Sequence, residues 1–223
     1  MTYEEIRKNE EVCELIKKGN ENLGILGYTD HSRAHCTLVA KQAARILTKL
    51  GYSEKEVELV KIAAFMHDIG NAVNRRNHAE YGAILANDIL KETDMSIKDR
   101  MTVVSAIGHH DESSGGATDV VSAALIIADK TDVRRSRVRN PETYEFNIHD
   151  RVNYSVKKSE VTLDKENRML TLTLNIDTKI TPVMDYFEIF LNRMSLCKKA
   201  AKKLKPVKWD IIKYLYLKER IQK

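Results

Sequence analysis

The chain predicts a mainly α-helical fold with a small C-terminal β-hairpin and closing helices. Capping-box sequences precede apolar runs of helical period near the N-terminus. Alternating and β-branched residues gather only after Asn140-Pro141, and a long helical pattern returns from Pro182.

Thr2-Tyr3-Glu4-Glu5 places a hydroxyl and a carboxylate three positions apart, the spacing at which each satisfies an amide of the other's turn, and predicts a helix ending near Gly19. Leu38, Val39, Ile46 and Leu50 form one stripe on a helix over 33–50. Ser53-Glu54-Lys55-Glu56 opens a helix that ends near Gly70. Further helices are predicted over 78–90, 96–107 and 120–137. Segments 160–163 and 169–176 flank Asp164-Lys165-Glu166-Asn167-Arg168 as a β-hairpin. The helix over 182–204 carries Met184, Phe187, Ile189, Phe190, Leu191 and Met194, and a shorter one follows from Trp209.

At 223 residues and 43% hydrophobic, the chain suits one domain, with a core over about 28–139 and the hairpin and last helices over about 150–223 packed on it. Its first residues lack the apolar core of a secretion signal, and the longest apolar stretch, 120–128, is too short to span a bilayer, so a cytoplasmic protein with no membrane partner is expected. Cys13, Cys36 and Cys197 are odd in number and widely spaced, which excludes a disulfide framework or zinc knuckle. A net charge of +5 does not select a partner. The runs Arg134-Arg135-Ser136-Arg137-Val138-Arg139 and 198–208 carry no interleaved aromatic platform and read as solvated faces, against nucleic acid.

Seven residues carry the chemistry: His35, His67, Asp68, His78, His109, His110 and Asp129. Five imidazoles and two carboxylates are too many for one tetrahedral ion and about right for two ions sharing a carboxylate. Each lies at or near a predicted helix end, where side chains can converge while the helix stems form a rigid scaffold. Asp129 closes the apolar run 120–128, where an unpaired carboxylate would be costly and a metal would compensate it.

His35 opening an apolar helix, His67-Asp68-Ile69-Gly70 closing another, then His78, His109-His110 and Asp129 in this order resemble the HD superfamily of metal-dependent phosphohydrolases, of the two-metal HDIG type. The resemblance implies a helical bundle, with His35, His67, Asp68 and Asp129 on one ion and Asp68, His78, His109 and His110 on the other. Asp68 is the bridge, with His67 its catalytic neighbour. Iron or manganese is implied, with nickel, cobalt or zinc as alternatives. A metal-bridging hydroxide would attack a phosphomonoester or phosphodiester of a small, nucleotide-like substrate. If His109 or His110 instead serves beside the site, one ion remains.

Two departures bear on the substrate. Many relatives carry lysine after His-Asp-Ile-Gly, where this chain has Asn71, and Arg75 or Arg76 could replace that cation. His109-His110 is followed by Asp111-Glu112-Ser113-Ser114-Gly115-Gly116 rather than Gly-Tyr-Pro, against the cyclic di-GMP enzymes. His31 either contacts substrate or hydrogen bonds within its turn. Lys130, Arg134 and Arg137 would share one face of a helix continued past Asp129 and hold the substrate's anionic group. His149-Asp150 repeats the dipeptide without its context and reads as chance. A di-iron oxygenase of the same fold and a non-catalytic metal-containing sensor are the other readings, and a homodimer is allowed.

Overall fold

A computed structural model describes residues 1–142, 147–164, 166, 168–204 and, for backbone only, 208–211. Nine α-helices lie among the described residues: α1 (Tyr3–Ile6), α2 (Glu10–Ile25), α3 (Arg33–Leu50), α4 (Glu54–Met66), α5 (His78–Lys91), α6 (Ile97–Gly108), α7 (Val120–Lys130), α8 (Ile148–Ser155) and α9 (Val183–Ala201).

Helix α7 is apolar on every side, and such a helix belongs at the centre of a bundle. Every residue from Val121 to Ala128 is buried, with α3, α4, α6 and α9 packed around it. Helices α5 and α6 pair beside this core, and α2 lies against the 3-10 turn Ile69–Ala72 that follows α4. The predicted helices over 33–50, 53–70, 78–90 and 96–107 are all present within a few residues. Both capping boxes form, Thr2 with Glu5 and Ser53 with Glu56.

Strands β1 (Val156–Asp164) and β2 (Met169–Ile176) form the expected antiparallel hairpin. Val161 pairs with Leu172 and Leu163 with Leu170, turning buried Val161, Leu170 and Leu172 to the core. A third strand, β3 (Lys208–Ile211), adds to β2 in parallel. The helix expected from Trp209 is therefore replaced by strand over 208–211, and the rest of that expectation lies outside the described residues.

Three other boundaries differ. The first helix is two, because the Asn9 side chain accepts from the Val12 amide at 2.9 Å and caps a fresh start. It then runs through Gly19 to Ile25, since a Cβ at Gly19 would stand only 3.1 Å from Asn71 and Ala72 and the close approach wants glycine there. Helix α7 stops at Lys130 rather than Arg137: Thr131 donates its hydroxyl to the Ile127 carbonyl at 2.6 Å, and the chain turns so that Asp132 can face three basic side chains. Helix α8 was not anticipated.

No described helix is long and apolar enough to cross a membrane. Gly70, within the turn after α4, would bring a Cβ to 2.0 Å from the His78 carbonyl oxygen and 2.5 Å from the Gly82 amide. The need is for close approach rather than for a left-handed backbone. Gly70→Ala should lower unfolding free energy in urea by about 3 kcal/mol or more, because backbone from α5 must move aside. A loss below about 1 kcal/mol would mean that this packing is looser than it stands here.

Candidate metal centre

Five helix ends deliver the cluster. His35 lies in the first turn of α3, whose N-cap is Ser32. His67 caps the C-terminus of α4 and Asp68 follows it. His78 begins α5, His110 follows the cap of α6, and Asp129 lies in the last turn of α7.

The carboxylates converge on imidazole Nε2 atoms. Asp68 Oδ2 is 3.2 Å from His67 Nε2 and 3.7 Å from His35 Nε2, while its Oδ1 is 3.6 Å from His78 Nε2. Asp129 Oδ1 is 3.4 Å from His35 Nε2 and 3.5 Å from His67 Nε2. The His110 ring centre is 5.0 Å from those of both His67 and His78. Asp68 thus turns one oxygen to each side, as a bridge requires.

The opposite nitrogen of each ring is anchored. Nδ1 meets the Ala64 carbonyl at 2.7 Å in His67, that of Arg75 at 3.1 Å in His78, and that of Ile107 at 2.6 Å in His110. His35 Nδ1 meets Asp132 Oδ2 at 2.7 Å. A carbonyl or carboxylate only accepts, so Nδ1 carries the proton and Nε2 of a neutral ring presents a lone pair to the centre. Nε2 of His35, His67 and His110 and Oδ2 of Asp68 are buried with no hydrogen-bond partner. Leaving four buried polar atoms so is costly unless a cation satisfies them, so the donor set fits a metal once His67 gives up its second proton.

Electrostatics point the same way. Burial would depress the His67 imidazole, but the neighbouring Asp68 and Asp129 carboxylates outweigh it and raise His67 to about 10. Burial would raise both carboxyls, yet His67 beside Asp68 and Lys130 beside Asp129 hold them well below the usual range. Burial and the Lys130 charge push His110 down to about 3, so it stays neutral.

Among the described residues, His35, His67 and Asp129 form one group with ligand atoms within 4.8 Å of one another, and His67, Asp68 and His110 form a second. Neither group includes His78, whose Nε2 stands 3.6 Å from Asp68 Oδ1, or His109. His109 is exposed at the end of α6, its Nδ1 on the Ser105 carbonyl at 2.9 Å, so the expectation that it is a ligand is corrected. Successive residues at a helix terminus diverge, and His110 takes the inward direction. Asp111 approaches instead, at 4.0 Å from His78 Nε2 and 3.8 Å from Lys130 Nζ. The loop doubles back at Gly115, where a Cβ would lie 2.3 Å from the His109 and Asp111 carbonyl oxygens.

Asp68, His78 and Asp129 open into a cavity of about 330 Å³. His31, Arg75, Lys130 and Arg137 line it. His31 also hydrogen bonds within its turn, Nδ1 to the Thr29 carbonyl at 2.7 Å, as the second reading of it expected. Arg75 donates to Asn71 Oδ1 at 3.3 Å and lies over the Tyr28 ring. Asn71 itself is buried and turned from the cavity, donating to Asp68 Oδ1 at 2.9 Å; it orients the bridge rather than the substrate. Arg76 and Arg134 do not reach the cavity. Arg134 is held by Asp132 at 2.6 Å. The common helix face expected for Lys130, Arg134 and Arg137 does not exist, because α7 ends at Lys130. Buried Lys130 is engaged by Asp129 at 2.9 Å and Glu112 at 2.7 Å.

Sequence reasoning missed Asp132, Glu112 and the wall built by α8 and α9. Asp132 and Glu112 stand two or three residues from expected ligands, and that proximity was the available signal. His149-Asp150, set aside as chance, lines the cavity, where burial lowers the imidazole and raises the carboxyl. Nothing local in the sequence marks that wall.

A model of the HD domain family matches residues 33–145. The chain belongs to the HD domain family. An uncharacterised protein of Methanocaldococcus jannaschii is 29% identical over 184 residues, covering 72% of this chain and 71% of that protein. Ribonuclease Y of Enterococcus faecalis is 33% identical over 109 residues, 48% of this chain and 19% of that enzyme. A crystal structure of a predicted HD superfamily hydrolase from an uncultured Thermotogales bacterium aligns over 56% of this chain and 67% of its own, at 22% identity and a TM-score of 0.44. The His67-Asp68 pair that typifies an HD domain is the centre of the cluster.

His110→Ala should reduce bound metal measured by elemental analysis, while His109→Ala should leave it unchanged. Equal losses from both would restore His109 to the ligand set. Metal uptake must displace the proton on His67, so apparent affinity should fall as pH is lowered, about tenfold per unit between pH 9 and 7. A flat profile in a competitive chelator titration would show that His67 is already neutral in the metal-free protein.

Proposed function

We propose that this HD domain is a metal-dependent phosphohydrolase acting on a phosphomonoester or phosphodiester of a small, nucleotide-like substrate. One observation carries the reading: three imidazole Nε2 atoms, buried and without a hydrogen-bond partner among the described residues, gather with Asp68 and Asp129 at the floor of a cavity bordered by arginines.

His35, His67, Asp68 and Asp129 would hold one divalent ion, and Asp68, His78 and His110 the other. The second set has three side chains, which leaves coordination positions open for substrate, as a catalytic site requires. Imidazole-rich donors favour iron or manganese, then nickel, cobalt or zinc, over magnesium. Bound there, two such ions would supply Lewis acidity and an activated water.

The side chains prepare the site for both. Asp68 offers an oxygen to each side and is kept in place by the Asn71 amide. Asp132 orients His35 through Nδ1, and Lys130 keeps Asp129 ionised. Arg75 and Arg137 face the cavity with guanidinium groups whose planar forks suit phosphate oxygens. Arg137 is buried and fixed by the Asp30 and Asp132 carbonyls at 2.9 and 2.8 Å, so it is preorganised rather than swinging. The diester alternative is kept because one relative is named a ribonuclease, although this chain covers 19% of it.

The test is hydrolysis of p-nitrophenyl phosphate, bis-p-nitrophenyl phosphate and a nucleotide panel by protein loaded with manganese or iron, with dissolved oxygen followed in parallel. Phosphate-ester cleavage without oxygen uptake is expected, and Asp68→Ala should lower it by more than about a hundredfold. Oxygen consumption in step with turnover would overturn the proposal.

A further inference from the structure

The family match ends at residue 145, but the cavity does not. Its outer wall comes from α8 and α9, and the cation in that wall is Arg193. Arg193 donates through Nε to Glu112 Oε1 at 2.9 Å, and its guanidinium lies 4.7 Å from the centre of the Phe190 ring. Glu112 also holds Lys130, at 2.7 Å, and Lys130 holds Asp129 at 2.9 Å. The side chain is thus braced along one edge by a carboxylate and on one face by an aromatic ring. That described hydrogen bond uses Nε and leaves the forked end for the cavity.

Arg75 is braced in the same manner from another element, on Asn71 and over the Tyr28 ring. Its described hydrogen-bond partner is a neutral amide. Arg193 shares its carboxylate with Lys130. Besides buried Arg137, the cavity therefore has two guanidinium groups, Arg75 and Arg193, each anchored on a different ring. Arg75 and Arg137 already serve one phosphoryl group at the floor, and Arg193 stands apart from them on the wall from α9. The volume of about 330 Å³ is at the lower end for small-molecule sites and suits a mononucleotide-sized ligand.

We infer that Arg193 forms a second anion subsite, so that the substrate carries another phosphate besides the one hydrolysed. This rests on the phosphohydrolase reading of the metal floor. Arg193 is then a specificity-determining residue supplied from outside the matched HD segment. His149, on α8 in the same wall, adds a polar edge beside that group.

The test uses inert probes, so that binding is read apart from catalysis. Benzenesulfonate and benzene-1,3-disulfonate are titrated calorimetrically into the metal-loaded protein. The disulfonate should bind at least about tenfold more tightly, and Arg193→Gln should bring the two within about twofold while leaving benzenesulfonate affinity unchanged. Equal affinities in the unsubstituted protein, or a preference that survives Arg193→Gln, would overturn the inference. If Arg193→Gln does not fold, Arg193→Gln with Glu112→Gln removes both partners without stranding a buried carboxylate, and the same loss of preference is expected. A preference that depends on Arg193 in a protein that cleaves no phosphate ester would uphold the subsite and reject the hydrolase. Cleavage with no preference would do the reverse.

Discussion

The structure depends on two carboxylates, Asp68 and Asp129, held against each other's imidazoles at the centre of a helical bundle. Burying an uncompensated carboxylate costs more than any single packing contact returns. The fold brings compensation from two sources, imidazoles from four helix ends and the buried ammonium of Lys130, and leaves four atoms of the cluster without a hydrogen-bond partner among the described residues that a metal would satisfy. The apolar α7 gives Asp129 its depth and at the same time makes that compensation necessary.

Helix termini are the means by which so many polar groups reach one point without breaking the core. His67, His78 and His110 each anchor Nδ1 on a carbonyl three residues earlier, so their own helix ends set the ring orientation. His35 is the exception. Its anchor is Asp132, 97 residues away, which is in turn held by Arg134 and Arg137. The turn after α7 therefore serves the first turn of α3, and this accounts for the end of α7 at Lys130 better than helix propensity does.

The bundle and most of the cluster were legible in the sequence because both are written locally. Capping boxes and apolar period mark the helices, and a histidine or aspartate at a predicted helix end marks a member of the cluster. His109 was not separable from His110, since only the direction of the chain leaving α6 decides between adjacent residues. Lys130, Arg134 and Arg137 fit a helical spacing, but the side-chain bonds of Thr131 and Asp132 override it. Asn71 looked like a lost phosphate contact and is instead a hydrogen-bond donor to Asp68. The wall from α8 and α9 depends on contacts far apart in sequence, which no short motif records.

The two carboxylates are not equivalent. Asp129 is balanced first by Lys130, whose ammonium is buried, paired and raised further above its ordinary range by those pairings. Asp68 is balanced chiefly by His67, with His31 and His78 behind it, and imidazoles give up their protons far more readily than a lysine does. Its Oδ1 is satisfied by Asn71, while Oδ2 has no hydrogen-bond partner among the described residues and faces His67 Nε2 at 3.2 Å. A metal therefore matters unequally across the pair. On the Asp129 side it joins a charge already compensated, whereas at Asp68 it replaces a proton that His67 would otherwise have to keep. The demand for an ion is focused on the carboxylate that faces both halves of the site, which is where shared coordination would place it.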